Sequence, residues 1–225
     1  MKKLISIITV FCLLFSLTAC GTGSGTNSNT EPSATQPQAE APDAPGDDPA
    51  EGSGPAAEPT EEATKTLVVY FSATGNTKAV AEEIVWLTGA NLYEIVPTAP
   101  YTDEDLNYNN DCRANQEMNN ASARPAISGS VDNMDDYDVV FLGYPIWWGQ
   151  APRIISTFLE SYDFDGKAIV PFCTSASSGI GSSATDLHDL APNADWLSGQ
   201  RFSNSTNQSM VQNWVDGLEL PSTAS

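Results

Sequence analysis

A doubly wound α/β domain, with a parallel sheet covered by helices on both faces, is predicted between Leu67 and about Leu220. Three observations carry the prediction. Short apolar runs rich in Val, Ile and Phe recur along this stretch, as strands buried on both faces require. Between them lie segments with apolar residues at every third or fourth position, the mark of amphipathic helices. The two patterns alternate, which is the order that builds a parallel sheet, and roughly 155 residues suit one domain.

In chain order, TLVVYFS (Thr66 to Ser72) is the first strand and NTKAVAEEIVWLT (Asn76 to Thr88) the first helix. ANLYEIV (Ala90 to Val96) is a second strand. A connection from Pro97 to Asp136 follows, polar, Asn-rich and only weakly helical in pattern; a connection that long is usually functional or holds short elements of its own. DVVFLGYP (Asp138 to Pro145) and KAIVPFCTS (Lys167 to Ser175) are continuous apolar strands, separated by the helical APRIISTFLESY (Ala151 to Tyr162). SSATDLHDLA (Ser182 to Ala191) reads as a helix, ADWLSGQRF (Ala194 to Phe202) as a weaker fifth strand, and TNQSMVQNWVDGL (Thr206 to Leu218) as the last helix. Residues 221–225 form a short tail.

The segment before the domain has a different character. Met1-Lys2-Lys3 precedes the apolar run LISIITVFCLLFSL and then LTAC, Leu17 to Cys20. This reads as a secretory leader, too short for a spanning helix, which needs about 20 apolar residues. A small residue directly before a cysteine is similar to the lipobox of bacterial lipoproteins, so residues 1–19 are predicted to be removed and Cys20 to be lipidated. Residues 20–65 are Pro, Ala, Ser, Thr, Gly and acids, with almost nothing apolar larger than alanine. They cannot bury a core and read as a disordered tether with a reach of about 35–40 Å. The expected location is the outer face of a bacterial cytoplasmic membrane, or a periplasm, with the lipid anchor as the membrane contact.

Charge excludes one class of partner. The chain carries a formal net charge of −20, and between Leu67 and Leu220 twenty acids face six Lys and Arg residues, which gives −14. Nucleic-acid binding is not expected. Two domain cysteines, Cys112 and Cys173, do not make a disulfide scaffold, and whether they pair is left open. One histidine and scattered cysteines cannot assemble a zinc cluster, and no serine accompanies a recognisable His/Asp set. His188 lies between Asp186 and Asp189 on a segment leading away from the sheet edge and reads as a solvated residue.

The chemistry gathers at three loops at the carboxyl edge of the sheet. SATGNT (Ser72 to Thr77) joins the first strand to the first helix. In a parallel α/β sheet that junction faces the ligand crevice and presents unpaired amides with partial positive charge. Ser72, Ala73, Thr74, Gly75, Asn76 and Thr77 combine a tight turn with hydroxyl and amide groups suited to a phosphate. The loop is neither a P-loop nor a Gly-x-Gly-x-x-Gly fingerprint, and alone it reads equally well as an N-capped helix start. The second loop holds Pro145, Ile146, Trp147, Trp148 and Gly149 and supplies aromatic surface. The third holds Thr174, Ser175, Ala176, Ser177, Ser178 and Gly179 and supplies small polar groups. A flat heterocycle stacked on one indole, with the other indole packed inward, fits these loops.

Taken together, the three loops resemble those of the flavodoxin family, and in particular its branch with a PIWWG segment. The Ser/Thr-x-Thr-Gly-Asn-Thr pattern of the phosphate loop is matched by Ser72, Thr74, Gly75, Asn76 and Thr77; the two ring loops match by position. The resemblance covers Leu67 to about Leu218. It implies a five-stranded parallel sheet in the order 2-1-3-4-5, with flavin mononucleotide (FMN) at the switch between the first and third strands. It also implies that the connection Tyr101 to Ala126 folds over one rim of the ring, with Tyr108, Cys112 and Arg113 as contributors; a structural pairing of Arg113 with Glu117 at i, i+4 is the competing expectation. Most flavodoxins are soluble cytoplasmic carriers, whereas this chain begins with a lipoprotein-like leader. The functions expected are electron transfer to a redox protein or a small acceptor such as a quinone, NAD(P)H-dependent quinone reduction, or, in a different class, non-redox binding of another phosphate-bearing ligand.

Overall fold

The computed structural model describes residues 64–221. The leader, Cys20, nearly all of the tether and the last four residues lie outside the described residues. The elements are β1 (Thr66–Tyr70), α1 (Asn76–Thr88), β2 (Asn91–Glu94), β3 (Val96–Pro97), α2 (Arg113–Asn119), β4 (Ile127–Ser128), β5 (Val139–Pro145), α3 (Arg153–Leu159), β6 (Ala168–Thr174), β7 (Asp195–Trp196), β8 (Gln200–Phe202) and α4 (Gln208–Asp216). Single 3-10 turns occupy Met134–Asp136 and Thr185–Leu190.

The main sheet runs β2-β1-β5-β6-β7, every pairing parallel, with β8 also on β6. Counting β7 and β8 as one edge position, the order is 2-1-3-4-5, as expected. The period-two alternation of strand side chains divides the core. Leu67, Val69, Phe71, Val140, Leu142 and Tyr144 point to one face, where Ile154, Ile155 and Phe158 of α3 cover them. Val68, Tyr70, Phe141, Val170 and Phe172 point to the other, beneath Val80 and Ile84 of α1 and Val211 of α4. β5 and β6 are buried along almost their whole length, which explains their unbroken apolar sequence. β2 is instead a largely exposed edge strand.

Two expectations change. The fifth strand is broken. β7 pairs with Ala168 and Ile169, β8 with Phe172 to Thr174, so Leu197, Ser198 and Gly199 lie opposite only Val170 and Pro171. The extra residue makes a bulge, and it falls where Pro171 has no N–H to offer the ladder. The segment Ser182 to Ala191 tightens into a 3-10 turn rather than an α-helix. The long connection carries α2 and the small antiparallel pair of β3 with β4, which returns the chain to β5. Cys112 and Cys173 are both buried free thiols; burial pushes the Cys173 thiol up to about 12. Among the described residues, no helix is long and apolar enough to cross a membrane.

Candidate cofactor site

The first loop begins where β1 leaves the sheet. Phe71 N–H donates to Gly143 O at 3.0 Å, the last ladder bond, and the chain turns through Gly75 at φ 86 into α1. That left-handed conformation is costly for any residue with a Cβ. No side chain caps α1, and among the described residues the amides of Ala73 through Lys78 have no acceptor. Ser72 Oγ is buried without a partner. A concave run of unpaired N–H groups at a helix start, with one orphaned hydroxyl beside it, matches the needs of a phosphate.

Thr77 and Thr174 also join two of the loops through their side chains. Both are buried, and their hydroxyls bond each other at 2.8 Å, so they fasten the first loop to the third. Asn76 Nδ2 donates to Thr74 Oγ1 at 3.1 Å and shapes the turn from outside. Arg201 holds the third loop by donating from Nη2 to Ser175 O at 2.8 Å and to Ala176 O at 2.7 Å. Within that loop Ser175 Oγ donates to Ser178 O.

The second loop is a two-residue reversal. Trp147 N–H donates to Gln150 O at 2.9 Å and Gln150 N–H to Trp147 O at 3.0 Å. The central residues Trp148 and Gly149 have φ 52 and 77, the positive pair of a type I′ turn. A tryptophan in that conformation is strained, a condition concentrated at functional sites. The two indoles divide as expected. Trp147 packs inward, edge-on to Phe71 and Tyr101 at 5.6 and 5.3 Å, while Trp148 is 65% exposed.

These loops enclose a cavity of about 610 Å³. Ala73 and Thr74 line it from the first loop, Pro145 through Gly149 from the second, and Ser178 from the third. Gly75 and Asn76 face a smaller neighbouring cavity of about 290 Å³ toward the start of α4. Ser175, Ala176, Ser177 and Gly179 do not line it. Sequence reasoning missed Leu106, Ala114 and Asn115, which close the cavity from the long connection together with Tyr108. Of the other two residues singled out there, Cys112 is buried and Arg113 turns away. Arg113 Nε donates to Glu117 at 2.7 Å, Nη1 to Ala99 O at 2.8 Å, and the guanidinium lies 4.1 Å from the Tyr101 ring centre. Tyr101 in turn donates to Glu117. Burial, then that bond to a carboxylate, raises its phenol above the ordinary value, so it stays a donor across the neutral range. His188, expected to be solvated, is half-buried and stacks on Trp196 at 4.6 Å. It is not part of the cavity wall.

A parallel sheet in this order, with an anion cradle and an aromatic cavity at its carboxyl edge, defines a nucleotide-type binding protein of the doubly wound class. Residues 65–218 match the family model described as Flavodoxin, and the chain belongs to the flavodoxin family. A candidate flavoprotein from Bacteroides eggerthii is 46% identical, covering 70% of this chain and 99% of its own with a TM-score of 0.66. A second, from Bacteroides uniformis, is 38% identical over 69% of this chain and 99% of its own, also at 0.66. A flavoprotein from Lactobacillus acidophilus, solved in complex with FMN, is 25% identical over 68% of this chain and 99% of its own, at 0.53. No curated protein matches the chain.

Proposed function

We propose that the chain is an exported, membrane-anchored FMN protein that transfers electrons to a redox protein or a small acceptor such as a quinone. The observation that carries this reading is the run of unpaired amides from Ala73 to Lys78 opening beside a cavity with an exposed indole in its wall. The amides and the orphaned Ser72 hydroxyl would hold the phosphate, Trp148 would offer a ring face, and Thr74 and Ser178 would serve polar edges. Bound FMN supplies one- and two-electron chemistry. Among the described residues, the cavity wall contains no carboxylate, imidazole or ammonium. Turnover of NAD(P)H with a quinone would favour an NAD(P)H-dependent enzyme over a carrier.

The acidic body does not oppose the phosphate strongly. The amides and helix dipole act within the first turn, while carboxylates farther than about 8–10 Å are screened at physiological salt. LTAC at Leu17 to Cys20 supports lipidation of Cys20, and residues 20–65 would then hold the domain off the membrane. Purified protein is expected to be yellow and to release one FMN per chain on denaturation; a colourless protein that takes up no flavin would overturn the reading. Cys20→Ala is expected to move folded protein from the membrane to the soluble fraction, and unchanged retention would remove the anchor from the account.

A further inference from the structure

We propose that Asn115, on α2, is a positioning residue that fixes the plane of the Trp148 indole in the cavity wall. The inference rests on the FMN reading above and adds to it a residue in the long connection that determines how tightly the ring is held.

Among the described residues, the indole has a single hydrogen bond. Trp148 is largely exposed, and its backbone is in the left-handed region, so neither burial nor a relaxed main chain orients the ring; exposed side chains change rotamer within nanoseconds. Among the described residues its one polar partner is Asn115, whose Oδ1 accepts from Trp148 Nε1 at 2.8 Å. The Asn115 amide is itself oriented. Its Nδ2 donates to Tyr108 O at 3.0 Å and to Asn110 O at 2.6 Å. Flipping the amide would set its oxygen against two carbonyls and its NH₂ against an N–H, so the oxygen must face the indole.

The helix carrying Asn115 is tied to the same turn. Arg153 Nη2 donates to Met118 O at 3.0 Å and to Gln150 Oε1 at 2.9 Å. α2 and the turn Trp147 to Gln150 are thereby joined at two points. Tyr108, whose carbonyl Asn115 holds, stands edge-on to Trp148 with ring centres 6.3 Å apart. One side chain thus sets both aromatic groups at the cavity mouth, and a ring fixed before binding spares the ligand the entropy of ordering it.

Two measurements test this. In the unliganded protein, the Trp148 indole N–H resonance, assigned by its disappearance in Trp148→Phe, is expected to shift and to exchange faster with solvent in Asn115→Leu. An unmoved resonance in Asn115→Leu overturns the proposal. In flavin titrations, Asn115→Leu and Trp148→Phe are each expected to weaken FMN about threefold to tenfold, the worth of one hydrogen bond. The double variant should lose no more than the larger single effect, and the preference for FMN over riboflavin should stay unchanged, because Asn115 acts on the ring. Additive losses also overturn it. A wild-type chain that binds no flavin would defeat the cofactor reading, whereas the indole resonance decides separately whether Asn115 holds the ring.

Discussion

Gly75→Val is expected to weaken FMN binding by about tenfold to a few hundredfold and riboflavin binding hardly at all. Gly75 lies at φ 86, and a Cβ added there would meet no atom within 4 Å, so the effect is conformational and not a clash. A left-handed L residue costs about 1–2 kcal/mol, and a β-branched one is a true outlier there. The turn therefore relaxes toward negative φ and re-aims the amides that follow. Hydrogen bonds to a charged group contribute about 1.5–3 kcal/mol each, and losing one, or two at the lower value, gives the range stated. Riboflavin lacks the phosphate and is indifferent to those amides. Equal losses for both ligands would mean that the loop shapes the fold and not the phosphate site.

Gly143→Ala is expected to destabilise the domain by about 3 kcal/mol, the upper part of the range for overpacking a core. Gly143 is in the middle of β5, opposite Phe172 of β6. A Cβ there would come within 2.2 to 2.8 Å of three atoms of the Phe172 ring. That ring cannot swing aside, because it is fully buried between Phe202 and Trp214, with ring centres at 6.5 and 6.3 Å. Chemical denaturation should show a lower midpoint at unchanged slope. Combining Gly143→Ala with Phe172→Leu should recover part of the loss, since the two changes share one space. A destabilisation under about 0.5 kcal/mol, the size typical of an innocuous surface change, would show that the core yields here.

The central strands and α1 were legible because their burial writes itself directly into residue type. Val139 to Tyr144 are buried without a gap, and a run apolar at every position has few other readings. SATGNT was legible as a tight turn into α1 because Gly75 marks the positive φ. The break in the fifth strand was not, since it depends on Pro171 of the neighbouring strand, a pairing partner that no local pattern reveals. Asn115 was missed for a similar reason. It is one asparagine among many in a polar connection, and its importance arises only when α2 brings it against Trp148, 33 residues later. The length of that connection was the one available signal. Thr77 and Thr174 were placed at the first and third loops, but their mutual side-chain bond across 97 residues, which joins those loops, could not be read from local pattern. His188 looked solvated between two aspartates because its stacking partner, Trp196, belongs to the strand that sequence reads least clearly.

The most direct test of the account is a calorimetric titration of the flavin-free protein with FMN and with riboflavin under identical salt and pH. If the unpaired amides at the start of α1 hold a phosphate, FMN should bind at least about tenfold more tightly, the contribution of one charged hydrogen bond. Equal affinity for the two ligands, or no binding of either, would contradict it.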